Sequence, residues 1–152
     1  MTAVLAPTGP FPAEVLVGAR SALFLFGAAF LGANDAIHAR AAGVPGTVVD
    51  RDPERLEQMR RLYPDTWTFV CRDAFEFVYC EGFSWRWDVV SCDPFTGIAA
   101  DRCLSLLPDI AGLARRALTL TIPHALPAQS LDGWEATTMK RTRLADWLVL
   151  TR

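Results

Sequence analysis

The sequence predicts an α/β protein: a three-layer α/β/α sandwich around a mostly parallel seven-stranded sheet, with a C-terminal antiparallel β-hairpin. Three features lead there. Short apolar runs alternate with helical stretches through residue 122, the pattern of parallel strands joined by crossover helices. The earliest runs are apolar on successive residues rather than alternate ones, as strands covered on both faces must be. After residue 122 the helices stop, and two strand-like runs follow with only a short turn between them.

Each element has its own local reason. Residues 1–12 hold three prolines and the turn Thr8-Gly9-Pro10, which predicts a loose, flexible arm. Ala13 to Arg20 is a candidate lead-in helix. Leu23-Phe24-Leu25-Phe26 is continuously apolar and ends in glycine, so it reads as the buried first strand. Asn34 or Asp35 can cap the next helix, which stops at Gly43-Val44-Pro45-Gly46. Thr47 to Val49 is the second strand. Asp52 caps a charged helix from Pro53 to Leu62, with proline in its first turn. Thr66 to Val70 is the third strand, after a Pro64-Asp65 turn. Asp73 opens a short helix from Ala74 to Val78, and Trp87 to Cys92 is the fourth strand. A helix over Ala99 to Leu113 carries a kink or break at Pro108. Ala117 to Ile122 is the fifth strand, closed by Pro123, and the runs Trp134 to Arg141 and Trp147 to Thr151 pair as the hairpin.

With 152 residues and 51% apolar composition, the chain builds one domain, 1–152, with one sizeable core. A net charge of −2 gives no overall field for nucleic acid or an anionic membrane. The four cysteines, Cys71, Cys80, Cys92 and Cys103, form no Cys-x-x-Cys pair, and only two histidines exist, so no metal site is expected. Reduced thiols and no basic leader predict a cytoplasmic location. The apolar stretch from Ala22 to Ala33 is too short to span a bilayer.

The join Val48-Val49-Asp50-Arg51-Asp52-Pro53 carries the functional reading. Asp50 ends a buried run about 20 residues after the glycine-containing turn Gly27-Ala28-Ala29-Phe30-Leu31-Gly32. In an open α/β sheet this puts a carboxylate at the tip of the second strand, facing the first strand–helix turn. There it can accept hydrogen bonds from both ribose hydroxyls of an adenosine cofactor. Turn and capping roles compete for the same acids. Asp50 could serve only as a turn residue, Asp73 as an N-cap, and Asp93-Pro94 as a strand-exit turn.

The loop from Gly27 to Gly32, the Val-Val-Asp-x-Asp-Pro run, the Arg72-Asp73-Ala74 step and Asp88-Val89-Val90-Ser91-Cys92-Asp93-Pro94-Phe95 together resemble the class I S-adenosylmethionine-dependent methyltransferases, which are Rossmann-like. The resemblance spans residues 20–152 and includes the closing hairpin. It implies S-adenosylmethionine as cofactor. Phe26, Gly27, Ala28, Ala29 and Gly32 would bring backbone amides to its methionine end. Asp50 would take the ribose diol, Arg51 would lie beside the adenine, and Asp73 and the Ala74 amide would read the adenine edge. Asp93, Pro94 and Phe95 would lie next to the transferred methyl group, resembling the Asp-Pro-Pro-aromatic motif of amino methyltransferases.

The chain departs from that pattern. Leu25 stands where the family carries an acid, with Asn34 or Asp35 as candidate replacements. Ala29 stands at the second glycine, and Asp-Pro-Phe is one residue short. The implied acceptor is an amine, on a nucleobase or a small molecule, that a partner protein could present. The alternative is a catalytically inactive methyltransferase-like binding or regulatory module, and a nicotinamide-dependent oxidoreductase ranks third. His38 reads as a packed or surface side chain. His124, after the fifth strand, is either a loop residue or substrate-facing. Lys140, Arg141 and Arg143 form a solvated turn or a phosphate-contacting patch.

Overall fold

The computed structural model describes residues 6–82, 84–94, 97–123 and 130–152. Seven strands form one sheet in the order β3-β2-β1-β4-β5-β7-β6. They are β1 (Ala22–Leu25), β2 (Gly46–Asp50), β3 (Thr68–Cys71), β4 (Trp87–Cys92), β5 (Ala114–Pro123), β6 (Glu135–Lys140) and β7 (Ala145–Thr151). The first five run parallel, and β7 enters antiparallel between β5 and β6. The helices are α1 (Ala36–Ala41), α2 (Pro53–Leu62), α3 (Ala74–Glu81), α4 (Gly97–Ser105) and α5 (Leu107–Ala111).

Alternation along each strand assigns the two faces of the sheet. Leu23, Leu25, Val49, Val90, Cys92, Leu118 and Leu120 point to one side, where Ala74, Phe77 and Val78 of α3, Cys103 of α4 and Leu107 and Ile110 of α5 cover them. Ala22, Phe24, Val48, Val89, Ala117 and Trp147 point to the other, under Ala36 and Ala39 of α1 and Leu56 and Met59 of α2. The three layers follow from strands that must be apolar on both faces.

The helix caps are those the sequence predicts. Asp52 accepts from the amides of Glu54 and Arg55 at 3.0 and 3.2 Å, and Asp73 accepts from Phe75 and Glu76 at 3.0 Å each. Asp35 caps α1 by accepting from the Ala36 amide at 2.7 Å.

Several boundaries differ from expectation. The lead-in helix is a single 3₁₀ turn, Ala13–Leu16. The helix expected over Ala99 to Leu113 starts earlier, at Gly97, and takes the break of the two alternatives at Pro108, which cannot donate into a continuing ladder and falls in the first turn of α5. Strand β5 begins at Ala114, ahead of the exposed Arg115 and Arg116 that hid its start. Residues 6–12, expected as a loose arm, are held at three points. The Thr8 amide donates to the Ala33 carbonyl at 3.0 Å, the Trp147 indole N–H donates to the Pro10 carbonyl at 2.8 Å, and Phe11 is buried between His38 and Trp147. His38 is therefore a packed residue, and burial lowers its pKa.

Sheet order reverses between β1 and β4, so the crevice opens at the C-terminal ends of these strands. The described candidates Phe26 to Gly32, Asp50, Arg51, Asp73, Ala74, Asp93 and Pro94 end or follow β1, β2, β3 and β4 at that edge. Phe95 and His124 lie outside the described residues.

Candidate functional site

The crevice starts with Asp50, the last residue of β2. Its Oδ2 accepts from the Ala28 amide at 3.0 Å and its Oδ1 from the Asp52 amide at 3.0 Å. One carboxylate thus ties the β1–α1 loop to the start of α2. Each oxygen keeps a second lone-pair direction. Asp50 lines a cavity of about 480 Å³ together with Phe26, Arg51, Asp73, Ala74, Phe75 and Arg102. The Phe75 ring meets Phe26 edge-on at 5.4 Å, and the Arg102 guanidinium lies 4.1 Å over the Phe75 ring. Asp50, Arg51, Asp73 and Ala74, picked from two separate sequence steps, therefore share one wall system. Ala29 joins it from the loop.

The loop itself is built differently from expectation. Gly27 and Gly32 do not line this cavity. A Cβ on Gly27 would stand 2.8 Å from Phe24 Cβ, 2.9 Å from the Phe24 carbonyl oxygen and 2.9 Å from Val48 Cγ1. Gly32 has φ +77°, and a Cβ there would meet the Tyr63 hydroxyl at 2.6 Å. Both glycines are explained by close packing on the protein's own interior. Left-handed backbone falls on Phe26, just before Gly27, and on Phe30 and Leu31, just before Gly32, with φ of 60°, 50° and 53°. Non-glycine residues in that region store strain, and here it sits at the mouth of the crevice. The Tyr63 hydroxyl donates to the Leu31 carbonyl at 2.9 Å and helps hold the loop. Gly27→Ala is expected to lower stability by about 1–3 kcal/mol through overpacking. Urea unfolding measures this, and an unchanged midpoint would refute the packing role.

A second cavity has a volume of about 550 Å³. Its walls are largely apolar, with Phe30, Pro94, Ile122, Pro123 and Leu144, and its polar end holds Asn34, Asp93, Thr121 and Arg141. Asp93 follows β4 and is buried. Its Oδ1 accepts from the Thr121 hydroxyl at 3.0 Å, and its Oδ2 from the Asn34 amide at 2.8 Å. The Arg141 guanidinium grips both oxygens, through Nη1 on Oδ1 and through Nη2 on Oδ2 at 3.1 Å. Arg141 Nη1 also donates to Thr121 Oγ1 at 2.6 Å, and the guanidinium lies 5.0 Å over the Trp147 ring. Of the three basic residues read as a solvated turn or a phosphate patch, Arg141 is neither: only 14% of its side chain is exposed.

Beneath this pair lies Asp35, buried completely. Ser91 donates to its Oδ2 at 2.8 Å. Burial raises its pKa to about 7, with the Asp93 charge adding to the rise; the Ser91 hydroxyl, the Ala36 amide and Arg141 oppose it. So Asn34 and Asp35, the candidate replacements for the acid absent at Leu25, divide the work. Asn34 faces the second cavity and Asp35 the interior. Thr121 and Ser91 were not singled out as site residues in the sequence, and Arg141 was singled out only with Lys140 and Arg143, not as a partner of Asp93. For Arg141 a signal existed: Met139 packs on the core, and alternation puts residue 141 on the same side.

Among the described residues no group of three or more His, Cys, Asp or Glu side chains is arranged for a metal ion, and no helix is long and apolar enough to cross a membrane. All four cysteines carry free thiols.

The sequence matches no known protein family and no curated protein. Solved structures do match the fold. A conserved hypothetical protein of Streptococcus pyogenes superposes with a TM-score of 0.68 at 15% identity, over 87% of this chain and 85% of its own. "Putative methyltransferase yhhF from Escherichia coli" superposes at 0.60 and 16% identity, over 96% of this chain and 91% of its own. The N-terminal domain of EvdMO1, with SAH bound, superposes at 0.56 and 16% identity, over 91% of this chain and 76% of its own. The fold of this chain is that of the class I S-adenosylmethionine-dependent methyltransferases.

Proposed function

On the premise of that shared fold, we propose that the chain is an S-adenosylmethionine-dependent methyltransferase whose acceptor is an amine, on a nucleobase or a small molecule. The observation that carries the reading is the pairing of two cavities at the reversal of strand order. One ends on the Asp50 carboxylate and the Asp73–Ala74 helix start, and the other on Asp93 and Pro94. Their volumes lie within the range of small-molecule sites.

The residues fit an adenosyl cofactor. Asp50 has one lone-pair direction left on each oxygen for a ribose hydroxyl. Arg51 flanks the same cavity, and Asp73 with the Ala74 amide can read the adenine edge. Of the loop from Phe26 to Gly32, Phe26 and Ala29 line this cavity and would face the methionine end, while the Ala28 amide holds Asp50 and Gly27 and Gly32 pack inward. When bound, the cofactor supplies a sulfonium-activated methyl group, so the protein needs no covalent nucleophile. What the chain contributes is alignment and exclusion of water. Asp93, Pro94 and Phe95 would border the methyl group and the acceptor, and an amine aimed at that point loses its proton to solvent or to Asp93. The EvdMO1 domain binds SAH on this fold, which supports the cofactor assignment.

Calorimetry with S-adenosylhomocysteine tests the reading. Micromolar binding is expected, with Asp50→Ala weakening it at least about tenfold, as for a lost pair of charge-assisted hydrogen bonds. Asp50→Asn keeps the amide contacts of one oxygen and controls for folding. No binding at millimolar ligand would defeat the reading.

One observation favours a second reading, the catalytically inactive module. The Asp93 carboxylate is already engaged by Arg141, Asn34 and Thr121, which leaves an incoming amine no open oxygen without rearrangement. Cofactor binding with no methyl transfer to any amine tested would decide for the module.

A further inference from the structure

The Asp93–Arg141 pair is an unusual floor for an amine pocket. Both charges face a cavity whose walls are otherwise largely apolar, and their side chains are only 8% and 14% exposed. A ligand carrying one charge can separate them only by leaving the opposite charge buried without a partner, which is strongly unfavourable. A neutral ligand offers nothing to either. A ligand carrying both an ammonium and a carboxylate replaces each half of the pair with its own opposite charge.

We propose that the second cavity takes a zwitterionic acceptor, an amino acid or a molecule with that pair of groups, and that the Asp93–Arg141 bridge holds its place when the cavity is empty. The inference rests on the methyltransferase reading above and deepens it by naming the acceptor class. The surroundings are built for such an exchange. Asn34 and Thr121 each hold one oxygen of Asp93, so the carboxylate stays in position when the guanidinium turns away. Arg141 stands at the end of β6, immediately before the turn to β7, where its amide donates to the Ala145 carbonyl at 3.2 Å. Its backbone is therefore fixed while its long side chain can swing. The planar guanidinium offers two parallel donors, the geometry that suits a carboxylate. Phe30, Ile122, Pro123 and Leu144 leave an apolar enclosure for the body of the molecule.

The chemistry balances without another reactant. The acceptor ammonium gives one proton to Asp93 and from there to water. The freed nitrogen lone pair forms the new N–C bond as the S–C bond breaks, and its electrons stay on sulfur as a neutral thioether. The positive charge moves from sulfur to nitrogen, where it again faces Asp93.

Three probes with one apolar body separate the charges: L-phenylalanine, phenethylamine and 3-phenylpropionate. Binding is measured by calorimetry on the full chain, with and without saturating S-adenosylhomocysteine. Phenylalanine is expected to bind at least ten times more tightly than either single-charge probe, and Arg141→Met is expected to erase the preference. Arg141→Lys, which keeps the charge but not the paired donors, is expected to retain part of it and guards against a misfolded methionine variant. Phenethylamine binding as tightly as phenylalanine overturns the inference. So does binding of S-adenosylhomocysteine with no binding of any of the three probes; that result leaves the methyltransferase reading standing. A tenfold zwitterion preference without S-adenosylhomocysteine binding supports the exchange and removes the methyltransferase reading instead.

Discussion

Arg141→Ala is expected to destabilise the protein by about 3–5 kcal/mol, the usual cost of removing one partner from a buried ion pair. The loss has a clear physical source. Asp93 would keep only Asn34 and Thr121, two neutral donors, in a site where it is 8% exposed. Its charge would then face the buried Asp35 without the guanidinium charge that offsets the repulsion. The contact of the guanidinium with the Trp147 ring would also go. Removing both charges together, as in Asp93→Asn with Arg141→Met, is expected to recover much of the loss, because apolar or neutral replacements of a buried pair are often tolerated. Urea unfolding of the two single variants and the double variant gives the coupling directly. A loss below about 1 kcal/mol for Arg141→Ala would show that the pair is wet and weak, as exposed pairs are.

Stability is expected to fall as pH rises from about 4 to about 7, with Asp35 as the cause. In the unfolded chain its carboxyl titrates near 3.8, while in the folded protein burial and the Asp93 charge raise it to about 7. The native state therefore binds the proton more tightly across that window. The contribution is fully present below the unfolded pKa, is lost as pH rises through the folded one, and is flat above it. Three pK units correspond to an upper limit on the order of 4 kcal/mol. His38 works in the opposite direction, because burial lowers its pKa and favours the neutral ring. Comparing wild type with Asp35→Asn isolates the carboxyl. Asparagine can still accept from the Ala36 amide and can donate to the Ser91 hydroxyl. The variant is expected to lose the downward slope between pH 5 and pH 7 in denaturant titrations. An equal slope in both proteins would assign the titration elsewhere.

The sequence showed the architecture because its signals were local. Asp52 with Pro53 marks a helix start by hydrogen-bonding chemistry alone, and the fully apolar run at β1 identifies a strand covered on both sides. Asp50 and Asp73 were legible for the same reason: each ends or follows a strand in a fold whose ligands bind at that edge. The second cavity was harder to read. Asp93 was visible as a strand-exit acid, but its partner Arg141 comes from a hairpin 48 residues later. It reaches Asp93 only because β7 turns back beside β5. Asp35 looked like a helix cap, which it is. Nothing in its neighbours along the chain shows that β4 places Ser91 and Asp93 beside it. The glycine loop misled in a different way. Gly27 and Gly32 suggested room for a cofactor, whereas their missing side chains make room for Phe24, Val48 and Tyr63.

The placement of β7 has a consequence for biogenesis. It is the last of the seven strands to be synthesised, yet it lies inside the sheet and carries the fully buried Trp147 that anchors Pro10 and Phe11. A nascent chain stalled before residue 145 would expose β5 as an unpaired edge, open to pairing with other polypeptides, and would leave its N-terminal segment undocked. Native structure must therefore be completed by a late, non-local event, and shielding of the growing chain until that moment is a requirement set by topology.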